Sequence, residues 1–144
     1  MSEPESPKRR RRDDRKASGD EGESRARAHL EAAGLTLVAK NWKAPPRPGF
    51  GGHGGELDLV MRDGEVLVIV EVRSARAGFA GGAAYTVGPA KRRRLSVLAQ
   101  LFLASSSWRP RGVRFDVVAF DRTQREGRDE PVTTLRWFKN AFTV

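Results

Sequence analysis

The chain has no cysteine and only two histidines in 144 residues. Without thiols there are no disulfides, no thiolate zinc centres and no cysteine nucleophile, and a reducing cytoplasm is the expected setting. No apolar run approaches the roughly 18 residues that a membrane span needs, so no membrane is expected as a partner. The N-terminus offers neither an apolar core nor a cleavage site, and no signal peptide is expected there. Residues 1–18, "MSEPESPKRRRRDDRKAS", also lack leucine, valine, isoleucine and every aromatic. Such a stretch cannot bury surface, so a disordered basic tail is expected over 1–18 and one domain over 19–144. The "KRRRR" run at Lys8–Arg12 would add salt-sensitive phosphate affinity or simply solubility.

What is present is positive charge: 27 Lys and Arg against 18 Asp and Glu, a net +9. A domain this basic is expected to meet a polyanion, with nucleic acid first. A merely soluble basic surface and an anionic membrane face are the plainer alternatives.

Periodicity supplies the elements. "GDEGESRARAHLEAAG" places Glu23, Ala26, Leu30 and Ala33 on one helical face, and Gly34 suits its end. "LTLVAKNW" reads as a strand and Ala44–Gly55 as a mobile Pro/Gly loop. Two strands then flank Asp63-Gly64, a strong hairpin signal, and a glycine-rich loop follows. "PAKRRRLSVLAQLFLASS" is a helix with Pro89 at its start and Leu95, Leu98, Ala99, Phe102 and Leu103 as its apolar stripe. "VRFDVVAFD" and "TTLRWFKNAF" complete an α-β-β-β-α-β-β order, a mixed α/β (α+β) domain with a central sheet and flanking helices.

Charges interrupt the hairpin. Alternation puts Glu56 with Asp58, and Glu71 with Arg73. If Asp63 and Gly64 are the loop residues, Arg62 pairs with Glu65, Asp58 with Ile69 and Glu56 with Glu71, so all three acids and Arg73 share a face. "VLVIVEV" is apolar on both faces, the mark of a central strand, and an acid inside it needs a partner. Oxygen ligands without thiols favour magnesium or manganese. A cross-strand ion pair of Glu56 with Arg73 is the plainer alternative.

In this region the sequence resembles the bacterial YraN-type (UPF0102) family, part of the restriction-endonuclease-like, or PD-(D/E)XK, nuclease superfamily. Six motifs occur in order: "GDEGE", "KNW", "GELDLV", "VEVR", "PAKRRRL" and "RFDVVAF". The resemblance implies an αβββαβ core and metal-dependent hydrolysis of phosphodiesters. It implies Asp58 and Glu71 as metal ligands, with the Val72 carbonyl, and Glu23 as a helix acid joining the site; Glu56 is an additional acid. The family's strand lysine is Arg73 here. Arginine cannot accept a proton from water but can stabilise developing charge.

Lys91, Arg92, Arg93 and Arg94 open the second helix, where phosphate contact or a solvated face would account for them. His53 is a loop histidine with no assigned role, and His29 a helix-surface one. "GFGGHGG" is no Walker loop, because no Gly-Lys-Ser/Thr follows. Trp42, Trp108 and Trp137 are expected in the core or covering the sheet, and Asp116 either pairs with Arg114 or lies near the site. The leading expectation is a metal-dependent nuclease acting on DNA, branched or damaged, with magnesium or manganese as cofactor. A nucleic-acid-binding protein on a nuclease fold, its catalysis weakened by Arg73, is the alternative; an assembly adaptor is the third. A homodimer is compatible with any of them.

Overall fold

The computed structural model describes residues 7–48, 54–76, 87–123, 127 and 132–143. His53 lies outside them, as does most of the glycine-rich loop after the hairpin. Helix α1 (Pro7–Ala32) starts well before the expected boundary, so helical backbone covers most of the segment read as a disordered tail. Arginine, lysine and alanine are good helix formers. Once the buried turns at Ala26 and Leu30 hold the helix, adding residues to its end costs little.

Gly34 ends α1 in the left-handed region, at φ +99°. Its N–H donates to the Glu31 carbonyl at 3.0 Å and the Leu35 N–H reaches back to the Leu30 carbonyl at 3.1 Å. This is a Schellman cap, and Leu30 and Leu35 supply its hydrophobic contact within one cluster.

Strands β1 (Thr36–Lys43), β2 (Glu56–Asp63) and β3 (Val66–Arg76) follow, then helix α2 (Pro89–Ser105) and strands β4 (Gly112–Thr123) and β5 (Val132–Phe142). The element order is the one the periodicity predicts. The five strands form one sheet in the order β1-β2-β3-β4-β5. Only β3 and β4 are parallel, and α2 is the crossover that a parallel pair requires. This is an α+β fold consistent with a restriction-endonuclease-like core.

Each sheet face carries its own core. Leu95, Leu98, Ala99 and Phe102 of α2 pack with Val60, Leu67, Ile69, Phe115 and Val117. Ala26 and Leu30 of α1 pack with Leu59, Met61, Val68, Val70, Val118 and Phe120. The central strands thus bury both faces, as their near-continuous apolar runs require. All three tryptophans pack against these clusters: Trp42 and Trp108 on the α2 side, Trp137 on the α1 side. No described helix is long and apolar enough to cross a membrane.

The hairpin register differs from the predicted one by one pair. Asp63 pairs with Val66, Arg62 with Leu67 and Leu59 with Val70, so Gly64 and Glu65 form the turn. Gly64 has φ +58° and Glu65 is not in the left-handed region. A turn that needs positive φ only at its first central residue puts glycine there, as in type II′. Asp63 is kept in the strand by an ion pair with Arg114 at 3.0 Å.

Candidate functional site: an acid pair at the end of the central hairpin

The β2–β3 ladder runs regularly to Leu59–Val70. The next positions are Asp58 and Glu71, and there a side chain replaces the backbone pairing. The Val72 N–H donates to Oδ2 of Asp58 at 3.0 Å. The revised register brings Asp58, rather than Glu56, up to Glu71. The proximity of Asp58 to Glu71 survives the correction, since the charge of Glu71 acts on Asp58. The predicted Glu56–Glu71 pairing does not. Glu56 is exposed and pairs with Lys43 on its other side.

The alternation of β2 breaks at the same place. Leu57 packs with the α2-side cluster and Leu59 with the α1-side cluster. Residues two apart on a regular strand share a face, so the strand is irregular at Asp58. Across β1, Asn41 lies between Lys40, partner of Leu59, and Trp42, partner of Leu57. Its backbone is left-handed at φ +49°.

Glu71 is buried, only 8% exposed. The Lys91 Nζ lies 2.5 Å from its Oε1. Burial pushes the Asp58 carboxyl up to about 7, and the neighbouring Glu71 charge adds to the rise against the opposing Val72 hydrogen bond. Glu23 enters from α1. At the preceding Gly22 α1 lies against the sheet: a methyl group there would make ordinary van der Waals contact, 3.7 Å from Phe120 and 3.8 Å from Val72. Burial raises the Glu23 pKa as well, opposed by a hydrogen bond from Asn41 and reinforced by the charges of Glu56 and Asp20. The charge of Glu23 also acts on Asp58. Among the described residues, no group of three or more His, Cys, Asp or Glu side chains is close enough to hold a metal ion together. On Asp58 the charge of Glu71 acts more strongly than that of Glu23.

The basic run of α2 divides by position. Lys91 turns to Glu71. The Arg92 Nε donates to the Val87 carbonyl at 2.7 Å, and its guanidinium lies over the Phe142 ring. Arg92 therefore ties the helix start to the sheet. Arg93 and Arg94 are exposed. Arg73 is half-buried on β3, across from Ala119 of β4.

Asp116 belongs elsewhere. It is 1% exposed and accepts from Arg114 at 2.9 and 3.1 Å, from the Trp137 indole N–H at 2.9 Å and from the Asn140 backbone N–H at 2.9 Å. Of the two alternatives for Asp116, pairing with Arg114 holds. His29 is exposed on α1, its ring edge-on to Trp137.

Two participants were not legible as such. Lys91 reads from the sequence as one of four equivalent phosphate contacts, yet it carries the ion pair to Glu71. Only its place at the first turn of a proline-started helix hinted at a fixed position. Asn41 carries no charge or ligand signature in "KNW". The signal available was that asparagine tolerates left-handed backbone better than other non-glycine residues.

Residues 22–120 match the family described as "Uncharacterised protein family UPF0102". The chain is similar to a UPF0102 protein of Pseudomonas aeruginosa strain LESB58, 43% identical over 133 residues, covering 90% of this chain and 97% of that protein. It is also similar to a UPF0102 protein of Pseudomonas fluorescens, 43% identical over 126 residues, with 87% and 92% covered. A UPF0102 protein of Bordetella avium is 42% identical over 132 residues, with 92% and 79% covered. With the acid pair falling inside the matched span, the chain belongs to the UPF0102 family.

Proposed function

We propose that this protein is a divalent-metal-dependent nuclease that hydrolyses phosphodiesters in DNA, branched or damaged DNA in particular. The observation that carries the proposal is the acid pair. Two carboxylates sit close together on adjacent central strands, one of them raised to about 7 by burial and by the other's charge. A fold keeps such a repulsive arrangement most readily where a cation joins it.

The donors fit magnesium or manganese. Asp58 and Glu71 offer carboxylate oxygens and Val72 its carbonyl, all hard ligands with no sulfur among them. Magnesium commonly takes one or two carboxylates and keeps several waters, so a third acid in direct contact is unnecessary. When bound, the ion would polarise the phosphate and lower the pKa of a coordinated water. The chain's own residues do the rest. The Val72 N–H fixes the rotamer of Asp58. Lys91 balances the charge of Glu71. Arg73 supplies a permanent positive charge for the developing phosphate charge, and Arg93 and Arg94 offer cations for the flanking backbone.

The test is incubation of the full chain with a panel of branched, nicked and linear DNA in magnesium or manganese, with Asp58→Asn alongside. Cleavage by the wild type that Asp58→Asn loses supports the proposal. Binding without cleavage of any substrate overturns it. The second reading, a DNA-binding protein on a nuclease fold, would then stand. The feature that favours that reading is arginine at position 73 where the resemblance expects lysine.

A further inference from the structure

Asn41 occupies backbone that the sheet does not call for. Its φ of +49° is uncommon for any residue with a side chain. The other described asparagine of this kind, Asn140 at φ +51°, donates its backbone N–H to buried Asp116, so that irregularity serves the core. Asn41 is exposed, it lines the same cleft as Glu23 of the neighbouring helix, and its side-chain amide favours the charged form of Glu23. Asn41 and Glu23, with Asp20, Ser24, Arg27 and Lys40, line a polar cleft of about 280 Å³ between α1 and β1. That cleft lies beside Asp58, since Asn41 stands across from it in the β1–β2 register. Leu59, next to Asp58, forms its wall.

We propose that Asn41 is a positioning residue for the cation site. Its side-chain amide holds the Glu23 carboxylate at the mouth of the α1–β1 cleft, where Glu23 reaches a divalent cation on Asp58 and Glu71 through the waters that the cation keeps. The inference rests on the reading of Asp58 and Glu71 as cation ligands. The left-handed residue Asn41 and the change of facing in β2 between Leu57 and Leu59 lie across from each other. The irregularity gives the amide its aim across the strand edge toward α1. A regular β1 would alternate its side chains straight up and down from the sheet. Glu23 contributes without direct ligation, which matches its weaker effect on Asp58. Such outer partners typically change metal affinity by about 10–100-fold.

The experiment measures Mn²⁺ affinity of the full chain by calorimetry and by the loss of the free-ion paramagnetic resonance signal, with thermal melting in parallel. Asn41→Gly keeps the left-handed backbone and removes the amide. It should melt within a few degrees of the wild type and bind Mn²⁺ about 10–100-fold more weakly. Glu23→Gln should show a similar loss, and the double variant should add little, as expected of residues acting as one unit. Wild-type affinity in Asn41→Gly, or losses that add in the double variant, would overturn the assignment. If Asn41→Gly fails to fold, Asn41→Asp replaces it. It also tolerates the left-handed region, lacks the amide donor and repels Glu23. Weakened Mn²⁺ binding there supports the role, and unchanged or tighter binding removes it. Asp58→Asn separates the two levels. If it binds Mn²⁺ like the wild type, the cation site itself is wrong. If it loses binding while the Asn41 variants do not, only the role of Asn41 fails.

Discussion

Asp116 and Asp58 are both aspartates on central strands, and each lies across from an asparagine in left-handed backbone. They differ in what surrounds them. Asp116 accepts from a guanidinium, an indole and a backbone amide. Every neighbour is a donor, and the carboxylate closes a polar network inside the α1-side core. Asp58 has one backbone donor and a second carboxylate beside it, whose charge outweighs that of Lys91. A carboxylate ringed by donors is finished, whereas one held against a like charge still calls for a cation. Burial alone does not separate a structural acid from a functional one; the signs of the neighbouring charges do.

The largest expected effect is on the structural side. Asp116→Ala should destabilise the fold by about 3 kcal/mol in a denaturant titration, because it strands the Arg114 charge and two N–H donors. The low end applies because Arg114 keeps Asp63 as a partner. Asp58→Asn should do the reverse. The amide oxygen still accepts from Val72, so the fold holds, while Mn²⁺ affinity falls by more than the roughly 100-fold that outer partners cost. A collapse of the fold in Asp58→Asn, with metal affinity per folded molecule retained, would make the two aspartates alike.

A pH titration sharpens the contrast. The Asp58 carboxyl titrates at about 7 in the folded chain against 3.8 for its ordinary value. The native state therefore holds this proton more tightly than the unfolded state across that window. The contribution of Asp58 stabilises the metal-free protein at low pH. It is lost as pH rises from about 4 to about 7 and is constant above. Subtracting the pH–stability curve of Asp58→Asn from that of the wild type should expose this slope. The variant should be the more stable protein at neutral pH. A flat difference would mean that Glu71 and burial do not act on Asp58 as the geometry indicates.

Arg73→Lys tests whether the site lacks a proton-transferring group. If it does, cleavage in magnesium or manganese should rise, up to the roughly 10²–10⁴-fold of general acid–base help. Because Lys91 already stands at Glu71, the expected change is below about tenfold, and a larger rise would show that Arg73 limits the enzyme. The smallest effect belongs to the helix surface. Arg93→Ala should lower the salt slope of DNA binding by about 0.9. Lys91→Ala should lower it less, because its ammonium is engaged by Glu71. Equal slopes would restore the sequence reading of one uniform basic patch.

The element order, the two-sided burial of the central strands, the apolar stripe of α2 and the cap at Gly34 were all legible in the sequence, because each follows from local period or from a residue's own backbone preference. Asp58 and Glu71 were legible as acids in apolar strands. The start of α1 was not, because low hydrophobicity says that a segment buries little and does not forbid helix. The hairpin register was missed by one pair. "DG" announces a turn, but whether aspartate sits inside it depends on Arg114, 51 residues away in sequence, pulling Asp63 into the strand. The division of "KRRR" into an ion pair to Glu71, a tie to Val87 and two exposed arginines needed the packed helix, since four like residues in a row carry no mark of which way each will face. The sequence by itself determined where acids interrupt apolar strands, a matter of composition along the chain. The tertiary structure alone decided which acid meets donors and which meets another acid, because that depends on the charges that other strands and helices bring within a few ångströms.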